Sequence, residues 1–144
     1  MEVTKPLELS RIEEIKILHN VRLVHRLDLN PTHSTKNLRV QFAISGDLKG
    51  AVTCYLCLDG FELEPADRNY LYPLFVESMN ILVGRQFSLD DDLSRFRIKL
   101  SSPKLNINAV EINTKFKLFM QKYELQLNGV VYYVLTEYNL EALN

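Results

Sequence analysis

A chain of 144 residues with 47% apolar side chains is long enough for one domain around an ordinary core. Its 17 basic and 18 acidic residues leave a formal charge of -1, so no basic excess exists to neutralise phosphates and nucleic-acid binding is not expected. No apolar run approaches the roughly 18 residues of a membrane span, and the opening Met-Glu-Val-Thr-Lys-Pro6 does not lead into a signal-peptide core; a cytoplasmic protein is expected.

Residues 1–9 carry little periodicity. Ser10-Arg-Ile-Glu13 is a capping-box pattern, and Ile12, Ile15 and Leu18 recur at helical spacing, which predicts a short helix over about 11–19. Ile15-Lys-Ile17 also alternates as a strand does. From Val21 the period becomes two, with Val21, Leu23, Leu27 and Leu29 on one side and Arg22, Arg26 and Asp28 on the other, a half-buried strand. His19, His25 and His33 share no helical spacing with acidic ligands, and His25, on the apolar side of that strand, reads as a core or rim residue rather than a metal ligand or base. Asn30 to Lys36 is turn chemistry.

Leu38, Val40, Phe42 and Ile44 alternate with Arg39, Gln41 and Ala43 and run into Ser45-Gly-Asp-Leu-Lys-Gly50, after which Ala51 to Leu58 returns as a strand. The pair reads as a β-hairpin. Its glycines are too loosely spaced for a phosphate cradle, and no helix follows to supply an N-terminus. Cys54 and Cys57 have C-x-x-C spacing, but in a strand positions three apart face opposite ways, so they read as structural thiols rather than a redox or zinc pair.

Glu64-Pro65 looks like a helix start, with the helix running to about Phe87 and Pro73 kinking it or marking its true beginning. From Pro73 to Gly84 the sequence is apolar nearly all round: Leu74, Phe75, Val76, Met79, Ile81, Leu82 and Val83 leave only a narrow arc for Pro73, Glu77, Asn80 and Gly84. A helix of that kind is expected to be buried. Buried polar groups must be paired or reach water, so Glu77 and Asn80 either complete an internal network or sit on an open seam where a partner docks. Ser88 to Ser94, with Asp90 to Asp92, reads as a solvated acidic loop. Phe96, Ile98 and Leu100 form a further strand ended by Ser101-Ser-Pro103, and Asn106 to Asn113 is ambiguous. Phe116 to Leu127 reads as a long strand with a bulge or strong twist near Met120. Asn128-Gly129 is a strong hairpin signal, Val130 to Leu135 closes the hairpin, and the last residues are expected to trail off. The expected class is α+β: a largely antiparallel sheet with a long apolar helix packed on one face, in a single domain over 1–144 whose first 36 residues supply a helix and a strand.

Three features line up on this frame. The helix carries Glu77-x-x-Asn80 followed by Gly84, twenty-two residues separate Asn80 from Pro103, and the hairpin upstream reads Gly46-Asp-Leu-Lys-Gly50. Over roughly residues 37–135 the chain resembles the CheC/CheX/FliY family of bacterial chemotaxis phosphatases, CheX-like members most closely. Their motif is Asp or Ser, three residues, Glu, two residues, Asn, then twenty-two residues and Pro. The resemblance implies a phosphatase acting on the aspartyl phosphate of a CheY-type response regulator, with Asn80 orienting water and Glu77 pairing with a lysine of the regulator. It implies Gly84 and Pro103 as supporting motif positions, no cofactor bound by this chain, Mg²⁺ carried by the regulator, and a homodimer. The motif's first position is Pro73 here, the segment between hairpin and helix is short, and Ile12 to Asn20 holds no second Glu-x-x-Asn, which favours the single-site CheX type. The alternative is a catalytically degenerate CheX-like domain that binds a regulator or signalling partner, or pairs with itself, without turnover.

Overall fold

Two glycine-assisted hairpins set the frame. In a computed structural model of the chain, which describes residues 12–26, 36–89, 93–107 and 120–142, β3 (Asn37–Gly46) and β4 (Leu48–Cys57) pair in register from Asn37↔Cys57 to Ile44↔Gly50. Beyond Ile44 the two strands part. Ser45 and Gly46 pair with β5 (Ile98–Leu100), while Leu48 and Lys49 pair with the far end of β8 (Val130–Ala142). The divergence needs close backbone approach, which glycine permits. A Cβ at Gly50 would overlap the carbonyl oxygen of Asn139, and one at Gly46 the carbonyl oxygen of Arg97. Asp47 fastens the junction: its carboxylate accepts from Arg97 N–H at 2.8 Å, and its own N–H donates to the Arg97 carbonyl at 2.8 Å. The Gly-Asp-x-x-Gly hairpin is thus a structural joint.

The second hairpin joins β7 (Met120–Leu127) to β8 through Asn128-Gly129, with φ of 49° and 81°, the two left-handed positions of a type I′ turn. β7 pairs with β8 without a register break from Met120↔Glu137 to Leu127↔Val130. The bulge expected near Met120 falls at the border of the described residues. β8 does not trail off after Leu135. It continues to Ala142 because β4 offers it a ladder as far as Leu48, and Tyr138 and Leu140 join the core.

The N-terminal helix expected over 11–19 is instead a strand, β1 (Glu14–Leu18), turned at His19-Asn20 into β2 (Val21–His25). Ile15 pairs with Leu23 and is buried, so the alternating reading prevails once β2 is alongside. β2 then pairs with β7, and the sheet order is β1-β2-β7-β8-β4-β3-β5, with β6 (Lys104–Asn106) also on β3. Every pairing is antiparallel. The expected strand residues 27–29 and 116–119, and the triplet Asp90 to Asp92, lie outside the described residues.

The expected class, α+β with a long apolar helix on one sheet face, does not hold. The chain is mostly antiparallel sheet bent into a half-barrel, with one 25-residue helix, α1 (Pro65–Leu89), among the described residues. The apolar run from Pro73 to Gly84 misleads because the element is longer than the run. Its first turns are Pro-Ala-Asp-Arg-Asn-Tyr, all exposed, and its last hold Arg85, Gln86 and Ser88. Only one stripe is buried: Leu71, Phe75, Ser78, Met79, Leu82, Val83, Gln86 and Phe87. That stripe shares a core with the inward residues of the strands, among them Leu23, Val40, Phe42, Val52, Leu56, Leu125 and Val134. Each such side chain adds roughly 1.5–3 kcal/mol by leaving water. Ser78 is accommodated in the apolar stripe by donating to the Leu74 carbonyl at 2.6 Å. Cys54 lies in this core, while Cys57 packs with Leu135 and Tyr55 in a separate cluster, so the C-x-x-C thiols belong to different clusters and form no disulfide with each other.

Candidate functional site

The helix start fixes what α1 presents to solvent. Pro65 takes the first helical position, where its missing N–H is an orphan anyway. The Asp67 carboxylate reaches back to accept from Glu64 N–H at 3.2 Å, half of a capping box, and Phe61 just before it stacks on Tyr132 with ring centroids 4.7 Å apart. The helix then runs through Pro73, which deprives the Asn69 carbonyl of its usual donor. Both residues are exposed, so water can serve that carbonyl.

With the Leu71–Gln86 stripe turned inward, the opposite line of the helix consists of Pro73, Glu77, Asn80 and Gly84. Glu77 and Asn80 are exposed, one turn apart. Of the two outcomes left open for them, the internal network is not formed. Among the described residues neither side chain makes a hydrogen bond or an ion pair, so no internal network holds them. Nothing lies within 4 Å of where a Cβ on Gly84 would be, so the surface beside Asn80 is open. Arg85, on the next residue, is likewise exposed and unpaired among the described residues. Leu74, Val76 and Ile81 flank the polar line and are half-buried.

Pro103 sits in the link between β5 and β6, at the β3 edge of the sheet. There Ser101 replaces the strand ladder: its N–H donates to the Ala43 carbonyl at 2.9 Å, and its hydroxyl accepts from Ala43 N–H at 2.8 Å. A proline two residues on loses no ladder bond at such an interruption. Glu77, Asn80 and Gly84 therefore stand together on one helix line, and Pro103 stands on a sheet edge.

Among the described residues no group of three His, Cys, Asp or Glu side chains could hold a metal ion, and no helix is long and apolar enough to cross a membrane. A depression of about 410 Å³ lies between the β1–β2 and β7–β8 turns, lined by His19, Asn20, Arg22 and Gln126 among others. Its guanidinium and amide groups are already engaged. Arg22 donates to Gln126 at 2.6 and 3.1 Å and to Glu14 at 3.1 Å, and Asn20 bonds Asn128. Chemistry is better served on α1, where a carboxamide able to donate and accept at once stands free beside a carboxylate. The line is an open surface rather than an enclosed pocket. Sequence reasoning missed Arg85 and the partly exposed Tyr70, Leu74 and Ile81 as neighbours of this site. Their i, i+4, i+11, i+15 spacing from Tyr70 was the available signal.

Comparison with known proteins adds little to this geometry. No family model matches the sequence, and no curated protein matches it. A solved structure does match in part. It is the crystal structure of a CheX-CheY-BeF3-Mg+2 complex from Borrelia burgdorferi, at a TM-score of 0.45 and 13% identity, over 74% of this chain and 78% of that one.

Proposed function

We propose that the chain is a CheX-like phosphatase acting on the aspartyl phosphate of a CheY-type response regulator. The observation that carries this reading is the free, exposed pair Glu77 and Asn80 beside the open surface at Gly84, in the spacing that resembles the family motif. Asn80 would enter the regulator's pocket, accept a hydrogen bond from water with its carbonyl oxygen and donate to a phosphoryl oxygen with its amide. Held in line, the water oxygen bonds to phosphorus as the bond to the aspartyl oxygen breaks, giving inorganic phosphate and a free carboxylate. Positioning is most of what this reaction asks of a protein. Glu77 would pair with a lysine of the regulator and fix the approach, and Mg²⁺ would come with the regulator.

The test is the lifetime of a phosphorylated CheY-type receiver with and without the chain. The parent should shorten it. Asn80→Ala should abolish the acceleration while changing stability by less than about 0.5 kcal/mol, as exposed substitutions do. Equal activity in parent and variant would refute the reading. Pro73 motivates a second one. It stands exposed where the family pattern has Asp or Ser and offers no polar group, which suits a domain that docks a regulator, or a second copy of itself, without turnover. Binding to a phospho-receiver mimic with an unchanged phosphate lifetime selects that reading.

A further inference from the structure

Three charged side chains of α1, Arg68 in its first turns, Glu77 and Arg85, have no partner among the described residues, and the last two border the line through Asn80. Glu77 and Arg85 are exposed, and among the described residues neither has a hydrogen bond or ion pair. At about 100° per residue they fall on the same side of the line through Asn80 and Gly84. They continue one stripe, Tyr70, Leu74, Glu77, Ile81, Arg85 and Ser88, spaced four, three, four, four and three residues apart. Tyr70 is 47% exposed although apolar in body, and Leu74 and Ile81 are half-buried. The opposite flank, with Val76 and Tyr72, carries no charge.

We infer that a partner approaches Asn80 from one side only, over this stripe, and that Arg85 is its second charged contact. The inference rests on the receiver-docking part of the function proposed above. Glu77 and Arg85 lie eight residues apart, or about 12 Å along the helix. The complementary surface must therefore present a cation opposite Glu77 and a carboxylate opposite Arg85 at that separation. Between them it needs an apolar contact for Ile81 and an opening that admits the Asn80 amide. A receiver whose phosphorylated pocket is rimmed by a lysine on one side and an acidic side chain on the other has this chemistry. The apolar residues contribute contact area, and the two charges set orientation, since rim charges act chiefly on encounter and register. Asn80 alone could be reached from either flank; the paired charges make the approach directional.

The experiment is calorimetric binding of the full chain to each CheY-type receiver of the source organism, loaded with beryllofluoride and Mg²⁺ as the phosphoryl mimic. Arg85→Glu should weaken binding about tenfold and reduce its salt dependence. Arg68→Glu makes the same charge change on the same helix but off the stripe, and should stay within about twofold. Loss of affinity in both variants, or in neither, overturns the inference, as does a parent that binds no receiver. Phosphate lifetime is read separately. A chain that binds through Arg85 but leaves the lifetime unchanged upholds the docking stripe and removes the enzymatic reading. Turnover lost in Asn80→Ala with affinity untouched in Arg85→Glu does the reverse.

Discussion

Two glycines show how much a single residue's surroundings decide. Gly50 sits at a φ of 148° where a Cβ would overlap the Asn139 carbonyl, at the position where β4, paired with β8 throughout, ends its pairing with β3. The obstacle is strand backbone held in the β4–β8 ladder, so it cannot yield cheaply. Gly50→Ala should therefore cost more than about 2 kcal/mol. Gly84 lies mid-helix with nothing within 4 Å of its Cβ position. Gly84→Ala should raise stability by about 1 kcal/mol, because only the backbone entropy of the unfolded chain is affected. Urea unfolding of both variants checks the pair; effects of the same sign would show that the two sites do not differ as described. Asn80 is set by the same logic. Its exposure follows from the inward stripe on the other side of α1 and not from any feature of its own.

At the scale of the element, α1 carries a proline that its packing tolerates. The helix passes through Pro73 because the stripe on either side, Leu71 before it and Phe75 after it, is anchored in the core. The lost hydrogen bond falls on the exposed side, where water answers the Asn69 carbonyl. Pro73→Ala should stabilise the chain by about 1–3 kcal/mol, the usual interior-proline penalty of about 3 kcal/mol reduced by that hydration. The unfolding midpoint should rise while the denaturant slope is unchanged. Pro73→Asp places a carboxylate at the motif's first position. If phosphatase chemistry is present but hampered there, it should shorten receiver-phosphate lifetime beyond the parent; a purely docking domain would show no such gain.

Across the whole molecule burial raises the pKa of four acids, Tyr55 and Tyr132 among them and Cys54 and Tyr123 most of all. Burial pushes the Cys54 thiol far above its ordinary value of 9.0, and burial, with smaller contributions from Cys54 and Glu13, pushes the Tyr123 phenol above 10.0. Both hold their protons more tightly when folded than when unfolded. Their contribution is complete below the unfolded values and is lost as pH rises past them. Stability should begin to fall near pH 9 and steepen beyond pH 10, by about 1.4 kcal/mol per pH unit for each group titrating in the unfolded chain. In Cys54→Val the decline should start about one unit later, with Tyr123. Urea unfolding between about pH 7 and about pH 10.5 makes the comparison; superimposable profiles for parent and variant would rule out Cys54 as the first group.

Local chemistry alone settled the hairpin turns and most of the strands. Asn128-Gly129 fits its turn because both positions need φ above zero, and the alternation from Leu38 to Ile44 admits only one inward face. The opposite facing of Cys54 and Cys57 follows from the pleat in the same way. Near the N-terminus Ile12, Ile15 and Leu18 keep helical spacing while Ile15-Lys-Ile17 alternates as a strand does, and no local signal separates the two. The choice rests on β2, which lies alongside and pairs Leu23 with Ile15.

Only the tertiary structure decided three things: the strand at Glu14–Leu18, the extension of β8 to Ala142, and the exposure of the α1 line that carries Glu77 and Asn80. Each depends on a neighbour distant in sequence, β2 for β1, β4 for β8, and the sheet's inward residues for α1. Periodicity reports which residues share a face; which face is covered, and by what, is set by contacts that no local window contains.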